Sequence, residues 1–342
     1  MSFKPKKVLI VSPAWLGDLI IAQALFKYLK YLHPVQIDII APDWSHPILR
    51  MMPEISQIVT MPVGHGQLQL KRRWQLGKSL QKEQYQQAIV LPNSWKSALI
   101  PWAAGIPLRT GWRGEARYWL LNDCRRLHKA QLPLMVTRFL ALACPAKTTS
   151  PTPDWQRYRP KLCVSHAQTK QTLNALSLQP PTKPLLILCP GAAYGPAKQW
   201  PAEYFGIIAQ QKQQAGWEVW LLGSQHDQGI AGMIQTLTQS RCVNFTGKTS
   251  IEQAIVLLSL ATIVLSNDSG LMHCAAALAR PLVAVYGSTS PEFTPPLTNH
   301  QHTLSQTLAC RPCFQRECPL NHLDCMKKLT PDQVLMAINT LI

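Results

Sequence analysis

The sequence predicts an α/β protein of two Rossmann-like domains facing a cleft. Three observations carry this. Short apolar runs alternate with longer segments of helical apolar spacing, which marks a parallel sheet with crossover helices. The alternation breaks at a Pro-, Thr- and Ser-rich stretch, roughly 145–160, and then restarts. In the second half, two loops each follow a strand-like run and precede a helix-like one, the place where open α/β sheets bind phosphorylated ligands. A chain of 342 residues is long enough for two such domains. The reading assigns 1–176 to an N-terminal domain, places a linker near 176–184, and gives 184–328 to a C-terminal domain, with 329–342 as a terminal helix.

In the first half, 7–12 is a short buried strand, followed by a loop through Gly17. Residues 18–31 place Leu19, Ala22, Leu25, Phe26 and Leu29 at helical spacing. Two further strands follow at 36–41 and 88–91. In the second half, Leu185–Cys189 is a strand, a glycine-containing loop follows, and Ala202–Gln214 is a helix stopped by Gly216. Residues 218–222 form a strand ended by Gly223 and Ser224. A helix at 251–260, a strand at 262–266, a helix at 271–278 and a strand at Leu282–Tyr286 complete the alternation. Residues 331–342 carry Val334, Leu335, Ile338 and Leu341 at helical spacing.

The 34 basic residues outnumber the 17 acidic ones, a formal charge of +17. Such an excess attracts nucleic acid, anionic lipid or a polyanionic substrate. No helix-turn-helix, RNP or C₂H₂ pattern accompanies it, so a nucleic-acid partner is not expected. No run of about 18 apolar residues is present to span a membrane. The basic start at 1–7 precedes an apolar stretch too short for a signal peptide, and the expected location is cytoplasmic. Of ten cysteines, Cys310, Cys313, Cys318 and Cys325 cluster as C-x₂-C-x₄-C-x₆-C, open to a metal or to reduced thiols in a compact loop.

The chemistry concentrates at strand ends. Lys198, in the loop with Gly191, Gly195 and Trp200, can meet a phosphate as a point charge. About seventy residues on, Asp268 ends a strand, and Ser269 and Gly270 open a helix whose N–H groups and dipole favour an anion. His273 lies one turn further on the same side as Ser269. Taken singly, Asp268 or Ser269 could be only a cap and His273 a core histidine; together they point to a diphosphate-sugar site. Asp18 is open to two readings, a helix N-cap or a general base. Asp227, after another strand, is a candidate ribose ligand. No D-x-D, no full G-x-G-x-x-G and no P-loop occurs, so a metal-bridged diphosphate, NAD and ATP hydrolysis are not indicated. Two Rossmann-like domains facing a cleft suit GT-B glycosyltransferases and some sugar-nucleotide epimerases.

Over nearly its whole length the chain resembles the ADP-heptose–lipopolysaccharide heptosyltransferases. The likeness rests on Ser12-Pro13-Ala14-Trp15-Leu16-Gly17-Asp18, Leu91-Pro92-Asn93-Ser94-Trp95-Lys96-Ser97-Ala98, and the segment from Gly105 to Glu115. It rests further on Pro190-Gly191-Ala192, on Gly195-Pro196-Ala197-Lys198-Gln199-Trp200-Pro201, on the segment from Asn267 to His273, and on Tyr286-Gly287 with Phe293-Thr294-Pro295-Pro296. The segments 92–98 and 105–115 point to the branch that adds the second heptose rather than the first. The resemblance implies an inverting, metal-independent GT-B enzyme with no cofactor. It would move L-glycero-D-manno-heptose from ADP-heptose to the first heptose of heptosyl-Kdo₂-lipid A. It implies Asp18 as base, and Lys198, Asp227, Asp268, Ser269, Gly270 and His273 around the donor. The acceptor is an anionic glycolipid, which a basic protein would meet peripherally at the cytoplasmic face of the inner membrane. Lys96, Arg109, Arg113 and Arg117, in the acceptor-binding half, are expected to contact its carboxylates or phosphates.

Overall fold

The computed structural model describes residues 5–64, 66–146 and 153–342. The first four residues of the basic start, His65 of the Gly64-His65-Gly66 segment, and 147–152 of the Pro-, Thr- and Ser-rich stretch lie outside the described residues. The chain forms two compact units, 1–160 and 161–342.

The N-terminal unit runs β1 Lys6–Val11, α1 Leu16–Leu32, β2 Val35–Ala41, α2 His46–Arg50, β3 Ile55–Thr60, α3 Leu70–Ser79, β4 Gln87–Val90, α4 Leu99–Ala103, β5 Leu108–Trp112, β6 Asp123–Arg125 and α5 Met135–Ala141. Its strands pair in parallel in the order β3-β2-β1-β4-β5-β6. Ile10 of β1 sits opposite Ile39 on one side and Ile89 on the other. Residues 8–11 are all buried, as a central parallel strand covered on both faces requires. Helix α1 begins after Trp15, whose backbone is extended and whose side chain makes no cap. Asp18 lies in its first turn and Lys30 in its last, each complementing the helix dipole.

The C-terminal unit continues with α6 His166–Ala175, β7 Leu185–Cys189, α7 Ala202–Gln214, β8 Glu218–Leu221, α8 Gln228–Leu237, β9 Val243–Asn244, α9 Ile251–Ser259, β10 Ile263–Asn267, α10 Gly270–Ala277, β11 Leu282–Tyr286, β12 Gln301–Ser305, α11 Asp324–Lys327 and α12 Pro331–Leu341. The parallel order is β12-β11-β10-β7-β8-β9. Read from β9, this is the same 3-2-1-4-5-6 order as in the N-terminal unit, the Rossmann order.

The division between the units differs from the expected one. It falls at Pro160/Lys161 rather than near 176, because α6 packs with the second unit. Leu162 N donates to Ala277 O at 2.9 Å, and Gln168 Nε2 donates to Glu252 Oε1 at 3.2 Å. Helix α12 is likewise no separate segment. Val334, Ala337 and Ile338 join Trp200, Phe205 and Ile208 in the core of the C-terminal unit.

Candidate active site

In a 3-2-1-4-5-6 sheet the connections diverge between the first and fourth strands, leaving a crevice beyond their carboxyl ends. In the C-terminal unit these strands are β7 and β10. The loop after β7 carries Lys198, and β10 ends at Asn267, just before Asp268. Asn267 ties the two loops together: its Nδ2 donates to Pro190 O at 2.6 Å, and its Oδ1 accepts from Trp200 N at 3.1 Å. Trp200 is fully buried, donates Nε1–H to Leu329 O at 2.8 Å and packs edge-on against Phe205. A motif residue that looked like part of the loop is thus the loop's anchor in the core.

The two charged residues of these loops are bonded to each other. Lys198 Nζ donates to Asp268 Oδ2 at 2.6 Å, and Thr289 Oγ1 donates to the same oxygen at 2.5 Å. Only 4% of the Asp268 side chain is exposed, and the pair is therefore strongly held. Lys198 also stands 4.8 Å from the centroid of the Tyr194 ring, and the Arg316 guanidinium 5.6 Å from it. Ser269 occupies the N-cap position of α10 without capping it; its hydroxyl lies 3.2 Å from Ser266 Oγ. Neither side chain serves as a mere cap, and the first N–H groups of α10 face the same end of the sheet as Lys198.

His273 is buried, and burial pushes its pKa down to about 4, against an upward pull from Asp268 and a downward push from Lys198. It is therefore a neutral imidazole in the field of the pair. A folded pKa below the unfolded value near 6.5 means that the unfolded chain binds the extra proton. The resulting stability is complete above about pH 6.5 and lost as pH falls toward 4, on the order of 3 kcal/mol in all. His273→Gln should lose less stability than the wild type between pH 7 and pH 5 in denaturant titrations. Parallel losses in the two proteins would refute a neutral buried His273.

The cysteine-containing tail braces this loop. Arg311 donates to the carbonyl oxygens of Gly287 at 2.5 Å, Gln306 at 2.6 Å and Thr289 at 2.8 Å. Phe314 N donates to Ser288 O at 2.8 Å, Tyr194 Oη to Phe314 O at 2.5 Å, and Ala197 N to Arg316 O at 3.0 Å. A Cβ on Gly195 would lie 2.5 Å from Arg316 O, so only glycine allows the loop and tail to come so close. All four thiols are free, and among the described residues no three His, Cys, Asp or Glu side chains are grouped to hold an ion.

Asp227 stands at the same sheet end, after β8, but is engaged locally. Its Oδ2 accepts from Ser224 N at 2.8 Å and Ser224 Oγ at 2.7 Å in a capping box, and its carboxyl group lies close against Gly191. Asp227 thus starts the helix after β8 and lies against the loop that carries Lys198.

In the N-terminal unit the corresponding switch point lies between β1 and β4. The loop after β1 leads to Asp18, which sits in the first turn of α1 rather than at its N-cap. The loop after β4 is held by Arg117, and here the expected acceptor contact is corrected. Arg117 is 0% exposed. It donates to Pro92 O at 2.5 Å, Trp112 O at 2.6 Å, Ser94 O at 3.3 Å and Asn93 Oδ1 at 3.4 Å, and burial lowers its pKa. Arg109, half-buried, donates to Leu120 O and Ile106 O, each at 2.6 Å. Both arginines brace backbone. Arg113 is exposed and stacks on Tyr118 at 5.1 Å; Lys96 Nζ reaches Gly66 O at 3.0 Å. Arg117→Met should cost about 3 kcal/mol of stability by leaving buried carbonyls unpaired, whereas Arg113→Ala should stay within about 0.5 kcal/mol. Denaturant unfolding of the two variants checks this; equal losses would contradict it.

Thr289, Arg311 and Arg316 escaped the sequence reading. The visible signal was weak: a Gly-Ser-Thr turn after β11 at Gly287, beside the strand that carries Asp268. A Cβ on Gly287 would run into Ala197 O, so that turn rests directly on the Lys198 loop.

The chain is similar to known proteins over most of its length. The family model described as glycosyltransferase family 9 (heptosyltransferase) matches residues 73–324. The chain is 41% identical to lipopolysaccharide heptosyltransferase 2 of Escherichia coli K12, over 98% of each. It is 44% identical to lipooligosaccharide heptosyltransferase 2 of Haemophilus influenzae, over 85% of this chain and 86% of that one. The solved structure of E. coli ADP-heptose LPS heptosyltransferase II superposes with a TM-score of 0.85 at 39% identity, covering 98% of both chains.

Proposed function

The chain belongs to glycosyltransferase family 9, the heptosyltransferases, and on that premise we propose its substrates and the division of labour among its residues. It is a glycosyltransferase of lipopolysaccharide inner-core synthesis. The donor is ADP-heptose, and the acceptor is the first heptose of heptosyl-Kdo₂-lipid A. The observation that carries the donor site is the Lys198–Asp268 pair at the β7/β10 switch point, beside the N-terminus of α10.

The chemistry assigned to these residues is an inverting displacement. The Asp18 carboxylate accepts the proton of the acceptor hydroxyl. The oxygen attacks the anomeric carbon as its bond to the diphosphate breaks, and ADP leaves. The Asp268 carboxylate, fixed by Thr289, holds the Lys198 ammonium so that its remaining N–H groups face the diphosphate. Because Asp268 offsets the charge of Lys198, the leaving group also needs the α10 amides and a second cation. Arg316, on the other contact to the Tyr194 ring, supplies it. Asp227 and His273 complete the donor site, with the Asp227 carboxylate as the ribose ligand. Lys96 and Arg113 are the acceptor contacts. The enzyme meets its lipid acceptor peripherally, at the cytoplasmic face of the inner membrane; no helix among the described residues is long and apolar enough to cross a membrane.

An epimerase-like reaction on the same architecture is separated by incubating the protein with ADP-heptose alone. Transferase chemistry predicts that the sugar nucleotide is recovered unchanged and that ADP appears only when acceptor is added. Epimerised sugar in the absence of acceptor would overturn the assignment.

A further inference from the structure

We propose that the face of the N-terminal unit carrying Trp74, Trp102 and Trp119 lies against an anionic lipid bilayer. The proposal rests on the reading above in one respect, that the acceptor is lipid-linked. Its own basis is a group of side chains that the transfer chemistry does not use.

The three indoles touch in series on the surface. Trp74 of α3 and Trp102 of α4 have ring centroids 5.4 Å apart, and Trp102 and Trp119 lie 5.7 Å apart, edge to face. They remain 43%, 38% and 61% exposed. Gly77 brings the two helices together, since a Cβ there would meet Ala103 Cβ at 2.5 Å. An indole buries a large area at low entropic cost, and three left in contact with water form an apolar patch that a soluble surface does not need.

The charge around the patch selects its occupant. Lys71, Trp74 and Lys78 fall at i, i+3 and i+7 of α3, on one stripe beside the buried Arg73 and Gly77. Lys78 Nζ lies 5.1 Å from the Trp74 ring. Between Met61 and Trp119 the sequence holds two carboxylates, Glu83, which pairs with Lys7 at 3.1 Å, and Glu115, which accepts from Trp95 N at 3.0 Å. A second copy of this face would set lysine against lysine. Indoles flanked by ammonium groups match instead the boundary between anionic headgroups and acyl chains, where aromatic rings settle and Lys side chains reach phosphate.

The test uses the full chain and extruded vesicles without acceptor. Wild type should co-sediment with phosphatidylethanolamine vesicles containing phosphatidylglycerol and not with pure phosphatidylcholine vesicles. The triple variant Trp74→Ser/Trp102→Ser/Trp119→Ser should bind the anionic vesicles at least about tenfold more weakly. Lys71→Gln/Lys78→Gln should lose about fivefold per lysine. Transfer to a deacylated, soluble acceptor should stay within about twofold of wild type in both variants. Should the triple variant fail to fold, Trp119→Ser alone, the most exposed of the three, should show a severalfold loss. Equal sedimentation of wild type and variants would overturn the proposal. So would a wild-type dimer that the triple variant breaks, which would place a second copy on this face, or binding to oligonucleotides in place of vesicles. Normal vesicle binding combined with no transfer to the soluble acceptor would count against the proposed reaction and leave the docking face standing.

Discussion

Asp18→Asn should lower turnover by about a hundredfold or more while ADP affinity stays within about twofold. The substitution keeps size and shape, so α1 should still start after Trp15. It removes one negative charge from the first turn of a helix, worth only about 0.3–1 kcal/mol of stability. The amide cannot take a proton from the acceptor hydroxyl. Because Asp18 belongs to the N-terminal unit and the proposed diphosphate site to the C-terminal one, catalysis and donor binding should separate cleanly. Initial rates of ADP release, set beside calorimetric titration with ADP, measure the two effects. Turnover within about tenfold of wild type would remove Asp18 from the role of base.

Lys198→Ala should have two large effects with different origins. The first is on the ligand: loss of a charged hydrogen bond to the diphosphate should weaken ADP about 30- to 100-fold. The second is on the protein. Asp268, with its side chain 4% exposed, would lose the cation 2.6 Å away and keep only the Thr289 hydroxyl. Leaving that carboxylate uncompensated should cost about 2–4 kcal/mol of stability. The double variant Lys198→Met/Asp268→Asn separates the two, since it removes both charges at once. It should regain most of the stability and still bind ADP poorly. If the double variant binds ADP like wild type, Lys198 does not hold the diphosphate.

The elements read most easily from sequence lie at the centre of each sheet. Leu185–Cys189 and Leu282–Tyr286 are wholly apolar because parallel strands there are covered on both faces. The edge strands β6 and β12 are short or partly exposed, mix polar and apolar residues, and give no such run. The Pro-, Thr- and Ser-rich stretch at 145–160 ends where the units divide, whereas the boundary near 176 misses that point, because α6 joins the second unit through α9, and Leu162 before it bonds to α10, both far away in sequence. The same division holds at the site. That Lys198, Asp268 and the start of α10 stand at strand ends was legible, because each follows an apolar strand and precedes a helix. That the lysine and the carboxylate bond to one another was not, since seventy residues separate them. The arginines show the limit most clearly. Arg113 and Arg117 look alike in sequence, yet Arg117 turns inward to the carbonyls of Pro92, Ser94 and Trp112, while Arg113 stays in water against Tyr118. Which carbonyls need a donor is decided by the path of the loop after β4, and no local pattern records it.

The choice of acceptor is the most direct point of attack on the proposed function. Purified protein incubated with ADP-heptose should transfer heptose to Kdo₂-lipid A that already bears one heptose, with one ADP released per sugar transferred. It should transfer none to Kdo₂-lipid A without that heptose. Efficient transfer to the acceptor lacking the first heptose, or no transfer to either, would contradict the assignment.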